Sequence, residues 1–224
     1  MSASAFNCRK STEAGFTLVE IAIVLVIIGL LLGGILKGQE MITQARIKNA
    51  INDFNGITVA VTSYQDRYRA LPGDDLNASA RWTVQAPASG NGNGVIAGLY
   101  NDATLTTESH LFWQHLRIAG FVPGLTTGPG SGTPPPNAAG GIIGVESGVV
   151  GTNGLGFTSL IICFSNLPEK VASAVDGQMD DSNPASGQVR AQLQTASNPP
   201  TAPAPGISAY VETGVNQYLL CKNY

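Results

Sequence analysis

Residue types that do chemistry are sparse in this chain. No GxSxG elbow, HExxH helix, P-loop or CxxC pair occurs in its 224 residues. The two histidines, His110 and His115, stand five apart and do not share the helix face that zinc ligands four apart would share. Asn91, Gly92, Asn93 and Gly94 lack the lysine and spacing of a phosphate cradle and read as a turn. Hard oxygen ligands concentrate in one segment, at Asp176, Asp180, Asp181 and Asn183. Calcium takes such oxygens, but the spacing is not that of an EF-hand, and a solvated acidic turn is the competing reading. Glu20 stands out by context: it is an ionisable group one turn inside a long apolar stretch.

That stretch accounts for much of the hydrophobicity. Residues 21–36 read IAIVLVIIGLLLGGIL without a charge, and extending back to Phe16 adds only Thr17 and Glu20 as polar interruptions. As a helix, residues 16–36 span roughly 30 Å, the thickness of a bilayer's hydrocarbon core. A soluble core helix rarely stays apolar on every face for so long. Arg9 and Lys10 flank one end, and Lys37, Arg46 and Lys48 the other, so counting cations does not orient the span. Small residues, Ala14 and Gly15, precede the apolar run rather than follow it, which is not the order of an ordinary secretory signal.

Gly15, Phe16, Thr17, Leu18, Val19 and Glu20, followed by this apolar helix, resemble the class III signal of type IV pilins and type II secretion pseudopilins. The resemblance implies a leader of residues 1–15, cut after Gly15 by a prepilin peptidase that also methylates the new amine of Phe16. It implies a cytoplasmic leader, a single pass through the inner membrane, and a C-terminal head outside. Glu20, the fifth residue of the processed chain, is implied to serve assembly; a helix-terminal carboxylate stabilised by the macrodipole is the simpler account. Weaker similarity to pilin-like proteobacterial proteins runs through Leu71-Pro72-Gly73-Asp74, through residues 113–117 and through Asp180-Asp181.

Beyond Lys37 the periodicity continues. Ile47, Ile51, Phe54, Thr58, Val61, Tyr64, Tyr68 and Leu71 recur at spacings of three and four, giving an amphipathic half of one helix over 16–71 that ends at Pro72-Gly73. Glycines 29, 33, 34 and 38 permit close helix packing or local melting. Residues 72–224 form the expected head: helices over 107–119 and 168–175, and strands over 157–164, 207–212 and 215–222. The fold expected is α+β, a long N-terminal helix on a small antiparallel sheet with loop and helix insertions; the sheet is implied by the resemblance. Cys8 falls in the leader, leaving Cys163 and Cys221 as a pair in an oxidising compartment, where a disulfide is expected and two buried thiols are the alternative. Some pseudopilins bind calcium in a C-terminal loop, which bears on Asp176, Asp180 and Asp181; no other cofactor is expected.

Low charge (12%) with 43% hydrophobic residues argues against wholesale disorder, and a net charge of −3 against a generally basic nucleic-acid binder. The expected function is a filament subunit and not an enzyme. A type IV pilus is favoured, with a secretion pseudopilus, or a minor tip subunit binding a surface, DNA or cargo, as alternatives. Its implied partners are the peptidase/methylase, other pilin subunits, an inner-membrane assembly platform and, before assembly, membrane lipid.

Overall fold

The computed structural model describes residues 15–224. The expected leader, with Cys8, Arg9, Lys10 and Ala14, lies outside them except for Gly15. Helix α1 runs from Leu18 to Tyr68 without a break, through all four glycines of the apolar half. The chain divides into two compact units within this helix, one ending at Ile42 and the other running from Thr43 to Tyr224. In the first unit the large apolar side chains from Phe16 to Leu36 are 46–91% exposed, on every face of the helix. One helix among the described residues is long and apolar enough to cross a membrane, with a mean hydropathy of 2.8 in its most apolar window.

The second unit is α+β. Its further elements are α2 (Ala78–Arg81), α3 (Glu108–Ile118), β1 (Ile143–Ser147), β2 (Leu160–Pro168), α4 (Glu169–Met179), β3 (Val189–Leu193) and β4 (Gln217–Asn223). The strands form one antiparallel sheet in the order β1-β2-β4-β3. Helix α1 lays Ile47, Ala50, Phe54, Ile57, Val61 and Tyr64 against one sheet face, where Val145, Ile162, Phe164, Leu220 and Ala191 meet them. Phe54 and Phe164 pack with ring centroids 4.0 Å apart. The opposite face buries Ile161, Cys163, Leu219 and Cys221 beneath Tyr100, Leu155 and Phe157, which loops supply. Both faces are therefore covered, and the strands lose the in–out polar alternation that marks a half-exposed sheet.

The helix-to-loop transition follows the local chemistry. Pro72 disfavours helix at Leu71, and Gly73 takes φ +88°, a conformation that L side chains rarely adopt. A Cβ there would also sit 2.5 Å from the Glu108 carbonyl oxygen. The buried stripe of α1 is rotated slightly from the sequence reading: Ala50, Ile57 and Ala60 are buried, and Ile51 and Thr58 are half-buried.

Residues 207–212 are not a strand. Their polar groups are taken by side chains instead of a ladder: Val211 N–H donates to the Tyr218 hydroxyl oxygen at 2.9 Å, and the Tyr210 hydroxyl donates to Asp176. Strand β2 begins at Leu160 rather than 157, because residues 154–156 form a 3₁₀ turn with Leu155 at φ +52°. Helix α4 extends four residues past 175, to Met179. Strands β1 and β3 were not anticipated.

Candidate functional sites

Thr17 is the N-cap of α1 and Glu20 its third helical residue. The Thr17 N–H donates to Glu20 Oε2 at 2.8 Å, the Thr17 hydroxyl donates to the same oxygen at 2.8 Å, and Glu20 N–H donates to Thr17 Oγ1 at 3.3 Å. This is a capping box, which satisfies donors that the first helical turn leaves without intrahelical partners. The T-x-x-E spacing before an apolar run carried this signal in the sequence. All of these bonds to the carboxylate fall on Oε2. Phe16, immediately before the cap, is 82% exposed.

Gly15 has a plain structural reading. Among the described residues, a Cβ built on it meets nothing within 4 Å. Packing among the described residues does not require glycine there. Glycines 29, 33, 34 and 38 likewise have open space around the missing Cβ.

Residues 10–36 match the family model described as the prokaryotic N-terminal methylation motif. The chain carries the type IV pilin and pseudopilin signal. The signal includes Gly15, Phe16 and Glu20, and it ends where the apolar run ends, at Leu36. No curated protein matches the chain at a significant level.

In the head, Cys163 and Cys221 face each other across β2 and β4 and are joined by a disulfide, with Cα atoms 4.0 Å apart. Both are fully buried on the loop-covered face.

The head also holds buried carboxylates that the sequence reading left unassigned. Asp74 accepts backbone N–H bonds from Gly92, Asn93 and Gly94 at 2.5–3.1 Å, so the Asn91–Gly94 turn does form an anion nest, occupied by the protein's own side chain. Asp75 accepts from the Tyr64 hydroxyl, from Arg81 and from Asn77 N–H. Burial raises the Asp75 pKa, but these donors outweigh burial and hold it below the usual range. Glu108 binds Asn91 and Ala97 N–H, and Glu169 binds Thr213 and Gly214 N–H. Glu146, fully buried, takes Tyr100 N–H, the Thr201 hydroxyl and the Asn153 amide; burial pushes its pKa up.

His115 is fully buried as well. Its Nδ1 accepts Gly73 N–H at 3.0 Å, which leaves Nε2 as the donor to the Ala88 carbonyl at 2.9 Å. Burial lowers its pKa and keeps it neutral. Two segments of the weaker resemblance, 71–74 and 113–117, thus meet at this histidine for a structural purpose. His110 is also buried, in a separate setting near Arg117 and Gly132, so the two histidines do not converge on a metal.

At the C-terminal end of α4, Asp176, Asp180 and Asp181 each bring a carboxylate oxygen within 4.8 Å of the others'. Asp176 is fully buried, Asp180 half-buried and Asp181 exposed. Burial, then the charges of Asp181 and Asp180, raise the Asp176 pKa against the opposing bonds from Tyr210 and Ser182.

Proposed function

We propose that this chain is a structural subunit of a type IV pilus or a related pilin-like filament, inserted in the inner membrane as a precursor, cut after Gly15 and methylated at Phe16. The observation that carries the reading is the methylation signal at the head of a helix that is apolar and exposed on every face. Such a surface needs lipid before assembly and other helices after it. The open space at Gly15 supports the processing step: an external protein, not the fold, has a use for the missing side chain.

The assembly role falls to Glu20. Cleavage creates a cationic amine at Phe16. A carboxylate at membrane depth is costly when alone, and the amine of a neighbouring subunit is a partner that exists only between chains. The pairing fixes axial register as well as adding attraction. The four glycines present small-residue surfaces on which neighbouring helices can approach closely. No catalytic constellation is assigned; the chain is the substrate of the peptidase and methylase.

The test is mass spectrometry of the chain recovered from filaments. It should begin at N-methyl-Phe16, and Gly15→Leu should leave the full-length precursor in the membrane. A filament subunit that still begins at Met1 overturns the processing.

A further inference from the structure

The head carries a groove of about 310 Å³ between the second half of α1 and the segment over 121–143. Phe121, Pro123, Pro135 and Pro136 form its walls, and the fully buried Trp113 of α3 contributes to its floor. The proline walls have no N–H to offer a ligand. The Pro135 carbonyl accepts the Ile143 N–H at 2.8 Å, and the Pro123 carbonyl accepts from Arg117 Nε at 3.4 Å. An added strand therefore finds no ladder along these walls, and recognition falls to side chains.

Three features of this groove answer to nothing among the described residues. The Trp113 Nε1–H is buried and has no acceptor, although a buried indole N–H usually finds one. Asp53 lines the groove half-buried, and its carboxylate has neither a hydrogen-bond donor nor a cation; burial alone pushes its pKa up. Gly56 follows three residues later on α1, as the one glycine of that helix within the head. Glycine weakens a helix interior relative to alanine, yet a Cβ at Gly56 would meet nothing within 4 Å. A donor, an anion and a vacant space thus share one groove without serving the chain's own packing.

We propose that this groove binds an extended, proline-containing peptide segment of a partner protein, one that carries a lysine or arginine. A peptide carbonyl accepts the Trp113 N–H, and the basic side chain pairs with Asp53. Proline rings pack on Phe121 and the proline walls, while the space at Gly56 lets the peptide backbone lie close to α1. A polyproline II backbone suits such a site: it needs no ladder, keeps its carbonyls free and is already ordered before it binds. The chain's own proline-rich stretch, residues 198–206, contains no cation and leaves Asp53 unanswered, so a second copy of this chain does not supply the occupant. The site uses residues of one head and does not depend on the filament reading.

The probe is a fluorescent peptide, acetyl-Pro-Pro-Arg-Pro-Pro amide, titrated with the full chain in detergent micelles and followed by anisotropy against empty micelles. Saturable binding is expected, and added salt should weaken it. Exchanging the peptide's arginine for glutamate, or using a peptide of residues 198–206, should weaken binding by about tenfold or more. Asp53→Asn should weaken the arginine peptide by a similar factor of about ten and remove most of the salt dependence. Gly56→Leu should fill the groove and abolish binding. Neither variant should melt below the unaltered chain, because Asp53 has no internal partner to lose and a side chain at Gly56 enters open space on a helix. An absence of saturable binding, equal binding of the arginine and glutamate peptides, or unchanged binding in Gly56→Leu overturns the site.

Discussion

At Glu20 the capping box and the proposed assembly role would use different oxygens of one carboxylate. The capping box engages Oε2 through both donors of Thr17. A neighbouring amine can therefore approach Oε1 without dismantling the cap. This separates the two accounts of the residue. If Glu20 were only a helix-terminal charge, removing either half of the box would have the same consequence. We expect Thr17→Val to fray the first turn yet still enter filaments, and Glu20→Ala and Glu20→Gln to insert and be cleaved normally. Filament content should fall by more than about tenfold in both Glu20 variants, the scale expected for leaving one charge of a buried pair without its partner. Glu20→Asp should be intermediate, its shorter arm misplacing the carboxylate. Quantitative immunoblotting of sheared filaments against membrane fractions checks each variant; normal filament content in Glu20→Ala would remove the recruitment role. The signal was legible because Gly15, Phe16 and Glu20 lie within six residues of one another. The cap was legible too, as Thr17 and Glu20 three apart. The roles of Asp74, Glu108 and Glu146 were not, because each binds backbone 11 to 46 residues away in sequence.

Among the elements, the three longer helices announced themselves, whereas the short α2 and half of the sheet did not. Residues of α1 and α3 repeat on one face, so a local window suffices. Strand β1 reads Ile143, Gly144, Val145, Glu146 and Ser147, all buried, with a glycine and an acid in what looks like a loop. Gly144 is there because the Tyr100 carbonyl oxygen lies 2.0 Å from where a Cβ would stand. Strand β3 mixes Arg190 and Gln192 with its apolar residues and is recognisable mainly through its pairing with β4. The disulfide joins the two central strands, β2 and β4, under the loop layer. Breaking it should loosen that layer before the α1 face. Cys163→Ser and Cys221→Ser are each expected to cost roughly 2–4 kcal/mol. Early proteolytic cuts should fall in the loops that carry Tyr100 and Leu155, and non-reducing peptide mapping of the unaltered chain should recover the 163–221 pair. Phe54→Ala attacks the other face, at the ring contact with Phe164, and should cost about 3–5 kcal/mol.

Over the whole molecule, buried carboxylates take the place of missing secondary structure. Residues 72–224 hold 21 of the 27 glycines and all 13 prolines, and long stretches of them have no ladder partners. Buried backbone N–H groups still need acceptors. Asp74, Asp75, Glu108, Glu146 and Glu169 supply them, which ties stability to pH in two opposite senses. Asp75 has its pKa held below the ordinary 3.8, so its contribution is complete above about pH 4 and is lost as pH falls through the depressed value. Glu146 has its pKa raised above 4.5 by burial, so its contribution is complete below that value and is lost as pH rises through the elevated one. Asp75→Asn removes the partner of Arg81 and an acceptor of Tyr64, and should destabilise by about 2–3 kcal/mol at pH 7. That penalty should shrink as pH falls below 4. Glu146→Gln keeps an oxygen for Thr201 and Asn153 but turns an amide toward Tyr100 N–H. At pH 7 its loss of one bond is partly offset by relief of a buried charge, and its penalty should grow as pH falls toward 4.5. Denaturant melts of the full chain in detergent between pH 3 and 8 would show the two difference profiles sloping in opposite directions. Parallel profiles would mean that these carboxylates act only as hydrogen-bond acceptors, with no net preference for charge in the folded state.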